Sequence, residues 1–181
     1  MEKKILMVIA GCSLYISVTA QHDHNSHQKQ TTTFNTDSAT KAAMPDKTTQ
    51  QQLLQLLSSY LNIKNALVTG DATSAASNAG QFLRTANSID FKIVSEANIH
   101  VLSKDAGKIS AAKDLKKQRE YFANLSLNMA IIAKSLKLSS EPVYLQYCPM
   151  KKASWLSAEK QIRNPYYGSS MLTCGEVTDT L

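Results

Sequence analysis

Glycine and proline are scarce in this 181-residue chain, at 6 and 4 residues. That scarcity argues against a turn-rich sandwich or barrel. No G-x-S-x-G elbow, glycine-rich phosphate loop or H-E-x-x-H pair occurs in the sequence, so the familiar hydrolase and transferase constellations are missing. The acid and base candidates Glu120, Glu159 and Asp114 fall in patterns typical of solvated helix faces. The expectation is a protein that is not an enzyme. Nor is there a block of one charge sign. The formal net charge is +6, but the signs alternate, as in "DLKKQRE". Alternation describes a solvated surface, with weak attraction to an anionic membrane as the lesser alternative and nucleic acid excluded as a partner.

What the chain does have is Ala, Leu, Lys, Gln and Ser in quantity, which favours helices. Its length suits one domain with a real core. Residues 1–20 read as an export signal: Lys3 and Lys4, an apolar run from Ile5, and small residues at Val18-Thr19-Ala20. That places the protein in the periplasm or outside the cell, with no transmembrane span after the signal is removed. The box Ile9-Ala10-Gly11-Cys12 offers a second reading, a lipoprotein anchored at Cys12. Residues 21–46 are rich in His, Thr and Gln and read as a flexible tether.

The domain proper is expected over 47–181. The fold class is mainly α: an antiparallel bundle of about four helices with a small β-hairpin and irregular cap at 141–181. The first helix is expected from Thr48 to Thr69, with Thr48 and Gln51 as a capping box. Lys64 falls in its apolar stripe, either paired with Asp71 or snorkelling. Gly70-Asp71 ends that helix and caps a second, whose narrow face carries Ala72, Ala75, Ala76, Ala79, Phe82, Leu83 and Ala86. A third is expected over Asp90–Lys104, burying Phe91, Val94, Ala97 and Val101. The fourth spans Ala111–Lys137, about 40 Å, on a heptad stripe of Ala111, Leu115, Gln118, Phe122, Leu125, Met129, Ile132 and Leu136. Gln118 in that stripe needs a polar partner. Val143–Tyr147 and Ser154–Leu156 read as strands around a "CPMKKA" turn, followed by a helical turn over 158–162. Trp155 and Tyr144, Tyr147, Tyr166 and Tyr167 should form the core of the cap.

With Cys12 removed, Cys148 and Cys174 are the remaining cysteines. A disulfide between them closes a loop of roughly 27 residues and stabilises the fold by about 3–4 kcal/mol in the chain-entropy model. A soft-metal site is the other reading. Cys148 and Met150 flank Pro149, and Met171 and Cys174 are three apart. Together they offer thiolate and thioether sulfur to an ion such as Cu(I) or Ag(I). His22, His24 and His27 form a weaker ligand set for Cu(II), Zn²⁺ or Ni²⁺. His100 stands alone and reads as a surface or hydrogen-bonded histidine.

Several segments resemble a bacterial family, the domain of unknown function numbered 3347. The matching blocks are "YLNIKNALVTGDATSAASNA" (60–79), with Lys64, Ala66, Leu67 and Asp71 in the family pattern, "QREYFANLS" (118–126), and "YCPM" with "ASWLS", "IRNPYYG" and "MLTCG" (147–175). The resemblance spans about 47–177. It implies a helical domain, found alone in exported proteins or as a C-terminal appendage of periplasmic adaptors of copper and silver efflux pumps. On this chain the implied metal role falls on Cys148, Met150, Met171 and Cys174. No adaptor hairpin or barrel precedes the domain, so the expectation is a free-standing metal-binding accessory that meets heavy-metal efflux components. The alternative is a disulfide-stapled helical interaction module that docks a periplasmic or membrane partner without metal.

Overall fold

The computed structural model describes residues 46–181. The signal, Cys12 and the tether up to residue 45 lie outside the described residues. Helix α1 is Lys47–Thr69, α2 Ala72–Asn87, α3 Glu96–Ala111 and α4 Leu115–Ser135. Strand β1 is Tyr144–Cys148, β2 Ala153–Ser157 and β3 Glu176–Thr180, with a 3₁₀ turn at Gly168–Met171 before β3.

Each helix starts on a side-chain cap. Asp46, not Thr48, caps α1, accepting from the Thr49 N–H at 2.7 Å. An Asx residue one turn ahead of the apolar stripe does what the expected Thr48–Gln51 box would do. Gly70 ends α1 in the left-handed conformation, and Asp71 caps α2 through the Ser74 N–H at 2.9 Å. Asp71 is thereby committed to Ser74 and does not pair with Lys64. Lys64 is buried, and burial pulls its ammonium pKa down; Glu159 opposes that shift and Arg163 adds to it.

Short connections fold successive helices back on one another, α1 on α2, α2 on α3 and α3 on α4. The third helix begins later than the sequence suggests. Ser95 caps it, and Ile99, Leu102, Ala106 and Ile109 form its buried face. Phe91 and Val101 are exposed and Ala97 faces solvent; Val94 is buried, but in the turn before the helix. The 3–4–3 spacing from Ile99 outweighs the earlier apolar residues because Asp90 holds the preceding turn, accepting from the Lys92 N–H at 2.9 Å. Asp114 caps α4, which is consequently 21 residues and about 31 Å long, with Ala111 left at the end of α3. The heptad stripe is buried from Gln118 to Ile132, whereas Leu115 and Leu136 are half-buried at its ends and Ala111 is exposed. Gln118 donates to the Ala72 and Ala112 carbonyls, both at 2.8 Å, tying α4 to the start of α2.

The cap is a three-stranded antiparallel sheet in the order β2-β1-β3. The third strand has no apolar alternation to announce it, since "EVTDT" is mostly exposed. A register irregularity between Leu145 and Gln146 accommodates it beside β1. The expected helical turn at 158–162 is instead a run of bends. Gln146, buried on β1, holds it by donating to the carbonyls of Glu159, Lys160 and Gln161 at 2.9, 3.2 and 3.3 Å. Helix α4 packs on β2. Aromatic rings join bundle to cap: Tyr60 stacks on Phe122 at 5.3 Å, Phe122 meets Tyr166 at 6.0 Å, and Tyr166 meets Trp155 edge-on at 5.8 Å. Trp155 and Tyr166 are buried, whereas Tyr144, Tyr147 and Tyr167 are half-buried at the margin. Among the described residues, no helix is long and apolar enough to cross a membrane.

Candidate metal centre

Cys148 ends β1, and its side chain is fully buried. The "PMKK" turn that follows closes by donation of the Lys152 N–H to the Cys148 carbonyl at 2.8 Å. The Lys151 N–H lies 3.4 Å from the Cys148 Sγ, a donor aimed at the sulfur. Cys174 arrives from the other direction, after the 3₁₀ turn. Its N–H donates to the Met171 carbonyl at 3.1 Å, so Met171 and Cys174 share one turn.

The two sulfurs stand 3.7 Å apart. Both are free thiols in this structure. The expected disulfide is not formed, because that separation is well beyond the S–S bond length of about 2.05 Å. It does match two thiolates sharing one ion: bound at about 2.3 Å in tetrahedral directions, they would lie about 3.8 Å apart. The Cys148 thiol beside Cys174, with burial, pushes the Cys174 thiol above its usual range, against the Met150 N–H, which lowers it.

Met150 is 63 % exposed in the turn after Cys148, and Met171 is exposed at the end of the 3₁₀ turn. The structure therefore brings the two thiols together and leaves each methionine on the surface of the turn carrying a thiol. Among the described residues, no three His, Cys, Asp or Glu side chains gather at one point. Further donors to an ion at the thiol pair would have to be thioether, solvent or a partner's. His22, His24 and His27 lie outside the described residues. His100 is exposed on α3.

Three residues position the thiols, a role that the sequence did not assign to any of them. Asn164 is fully buried. Its Nδ2 donates to the Cys174 carbonyl at 2.7 Å, its Oδ1 accepts from the Tyr166 N–H at 2.8 Å, and its own N–H donates to the Leu172 carbonyl at 2.8 Å. The segment between Asn164 and Cys174 is thus pinned at both ends by one side chain. Gly175 follows Cys174 with φ 148°, and a Cβ there would lie 2.8 Å from the Tyr147 carbonyl oxygen and 2.9 Å from Trp155. Trp155 is the third, the wall against which Gly175 rests. The Asn-Pro pair at 164–165 was readable as a turn, but not as a clamp on a cysteine ten residues away.

Asn164→Ala is expected to lower the effective concentration of one thiol toward the other at least about tenfold, read from the thiol–disulfide equilibrium with glutathione. Asn164→Asp keeps the acceptor for Tyr166 but sets a buried carboxylate oxygen against the Cys174 carbonyl, and should fall at least as far.

No curated protein and no solved structure matches this chain. A family model matches part of it. The matched stretch takes in the blocks at 60–79 and 118–126 and stops before β1, so Cys148, Met150, Met171 and Cys174 lie beyond it. Across residues 56–141, most of the helical bundle, the chain resembles the family described as "Protein of unknown function (DUF3347)".

Proposed function

We propose that this protein is an exported, non-enzymatic accessory that holds a soft ion, Cu(I) or Ag(I), between Cys148 and Cys174 and serves heavy-metal efflux or homeostasis. The observation that carries the reading is the 3.7 Å separation of two free thiols on separate chain segments. Thiolate sulfur selects soft ions over Mg²⁺, Ca²⁺ or Mn²⁺. Structural Zn²⁺ sites use four ligands, and the pair here has no histidine or carboxylate grouped with it among the described residues. Cu(I) and Ag(I) accept sites with fewer sulfur donors. Met150 and Met171 would complete the set from the surface, and the histidines at 22, 24 and 27 would collect ions at lower affinity.

The test is a titration of the reduced mature chain with Cu(I) against a competing chelator. One ion per chain should bind with sub-micromolar affinity. Cys148→Ser and Cys174→Ser should each weaken it about 100-fold or more, while replacing the three histidines leaves it in place. Because Cys174 holds its proton more tightly than an ordinary thiol, uptake must displace that proton, and affinity should rise with pH through the neutral range. A reduced chain that takes up no Cu(I) overturns the reading. Two oxidised sulfurs in the purified protein, with no uptake after reduction, would favour a disulfide-stapled interaction module, since thiols already in contact need little movement to bond.

A further inference from the structure

A cavity of about 350 Å³ lies between α4 and the start of β2. Its walls are mostly apolar: Leu127, Ile131, Ala130 and Leu145 among them. Leu127 and Ile131 are 59 % and 52 % exposed, one helical turn apart on α4. Exposed aliphatic side chains beside a cavity form an apolar ledge that water covers at a cost. The charged side chains lining it are Lys134 and Lys152, and none of its described lining residues is acidic.

Lys152 is unusual in its backbone. It is the one non-glycine residue with positive φ, at 56°, among the described residues. That conformation disfavours a side chain with a Cβ, and glycine or asparagine would hold it more easily. The chain instead keeps a lysine there, at the cavity's edge. The left-handed residue closes the β1–β2 turn and sets Lys152 at the cavity's edge.

The outward backbone groups of β2 limit what can fill this space. The Ser154 carbonyl accepts from the Tyr166 hydroxyl at 2.6 Å, and the Leu156 N–H donates to the Tyr60 hydroxyl at 3.1 Å. A peptide strand laid along β2 would find those groups already taken. The cavity offers apolar contact and two cations, without free backbone partners on that edge.

We infer that the α4–β2 cavity binds a free single-chain amphiphile with an anionic head, of the fatty-acid class, its chain on Leu127, Ile131 and Leu145 and its carboxylate between Lys134 and Lys152. The volume falls in the lower part of the range for small-molecule sites. This inference does not depend on the metal reading.

The probe is laurate below its micelle concentration, titrated into the full mature chain by calorimetry, with dodecyltrimethylammonium as the same chain bearing a cation. Laurate should bind one per chain and the cationic amphiphile should not. Lys134→Gln and Lys152→Gln should each weaken laurate about fivefold, and Ile131→Asp about tenfold or more. Lys152→Gly separates binding from folding: relief of the left-handed strain should raise the melting temperature by a few degrees while laurate binding still weakens. Equal binding of both amphiphiles overturns the assignment, as does full laurate affinity in the lysine variants. Association with anionic phosphatidylglycerol vesicles without binding of monomeric laurate also overturns it, in favour of a membrane-facing surface. Capture of a partner helix on Leu127 and Ile131, with no laurate bound, would assign the ledge to protein docking instead and likewise sink the proposal.

Discussion

Gly175→Ala is expected to destabilise the protein by about 4 kcal/mol and to separate the two thiols. Two costs add. Backbone φ at Gly175 is 148°, a region closed to most side chains, and forcing alanine there costs about 1–3 kcal/mol. The new Cβ would also sit 2.8 Å from the Tyr147 carbonyl oxygen, 2.9 Å from Trp155 and 3.3 Å from Ile162. Tyr147 belongs to the central strand and pairs with both Ser154 and Glu176, so its carbonyl cannot withdraw without disturbing the sheet. Overpacking of this kind costs about 1–3 kcal/mol. Relief can come only by moving the 174–175 segment outward, and Cys174 moves with it. Urea denaturation gives the stability change, and the glutathione equilibrium gives the thiol separation. Gly107→Ala is the matched control. It lies within α3 with nothing within 4 Å of its would-be Cβ, so the same substitution should stabilise by about 0.5–1 kcal/mol. A Gly175→Ala protein as stable as the parent, with its thiol equilibrium unchanged, would show that the segment is looser than its contacts imply.

Much of the bundle was legible because helical periodicity is a local signal. The heptad stripe of α4 and the Gly70-Asp71 boundary needed no long-range information. The third helix shows where local reading fails. Phe91, Val94, Ala97 and Val101 have helical spacing, yet the stripe from Ile99 to Ile109 also does. Which one is buried depends on where α2 ends and on Asp90 and Ser95 holding the intervening turn. The capping of α1 by Asp46 was similarly a choice between neighbouring polar residues. In the cap, the first two strands announced themselves through aromatic and β-branched residues. The third did not, because it is held by β1 on one side and exposed on the other, and so carries polar side chains. The cysteines were legible as residues and their pairing as a possibility. Their distance was not, since it rests on Asn164 reaching Cys174 across ten residues and on the absence of a Cβ at 175. Such contacts have no period and leave no pattern in a single sequence.

Phe122→Ala should cost about 3–5 kcal/mol, the usual penalty for removing a buried aromatic ring. Its position gives the loss a further consequence. Phe122 lies between Tyr60 of α1 and Tyr166 of the cap, with ring centroids at 5.3 and 6.0 Å, and is fully buried. Tyr60 is also tied to both sides: its hydroxyl lies 2.7 Å from the Ser126 Oγ on α4 and accepts from the Leu156 N–H on β2. Removing Phe122 therefore opens a void at the seam where bundle and sheet are bound together. If bundle and cap fold as one unit, helix loss by circular dichroism and Trp155 emission should shift together to lower denaturant. Trp155 is the chain's one tryptophan and reports on the cap alone. Leu127→Ala, on the same helix but 59 % exposed, should change stability by no more than about 0.5 kcal/mol. A Phe122→Ala protein whose Trp155 transition stays in place while the helical one moves would mean that the cap holds its thiols together without the bundle. The cysteine pair would then be a property of the last forty residues, with the helices serving another purpose.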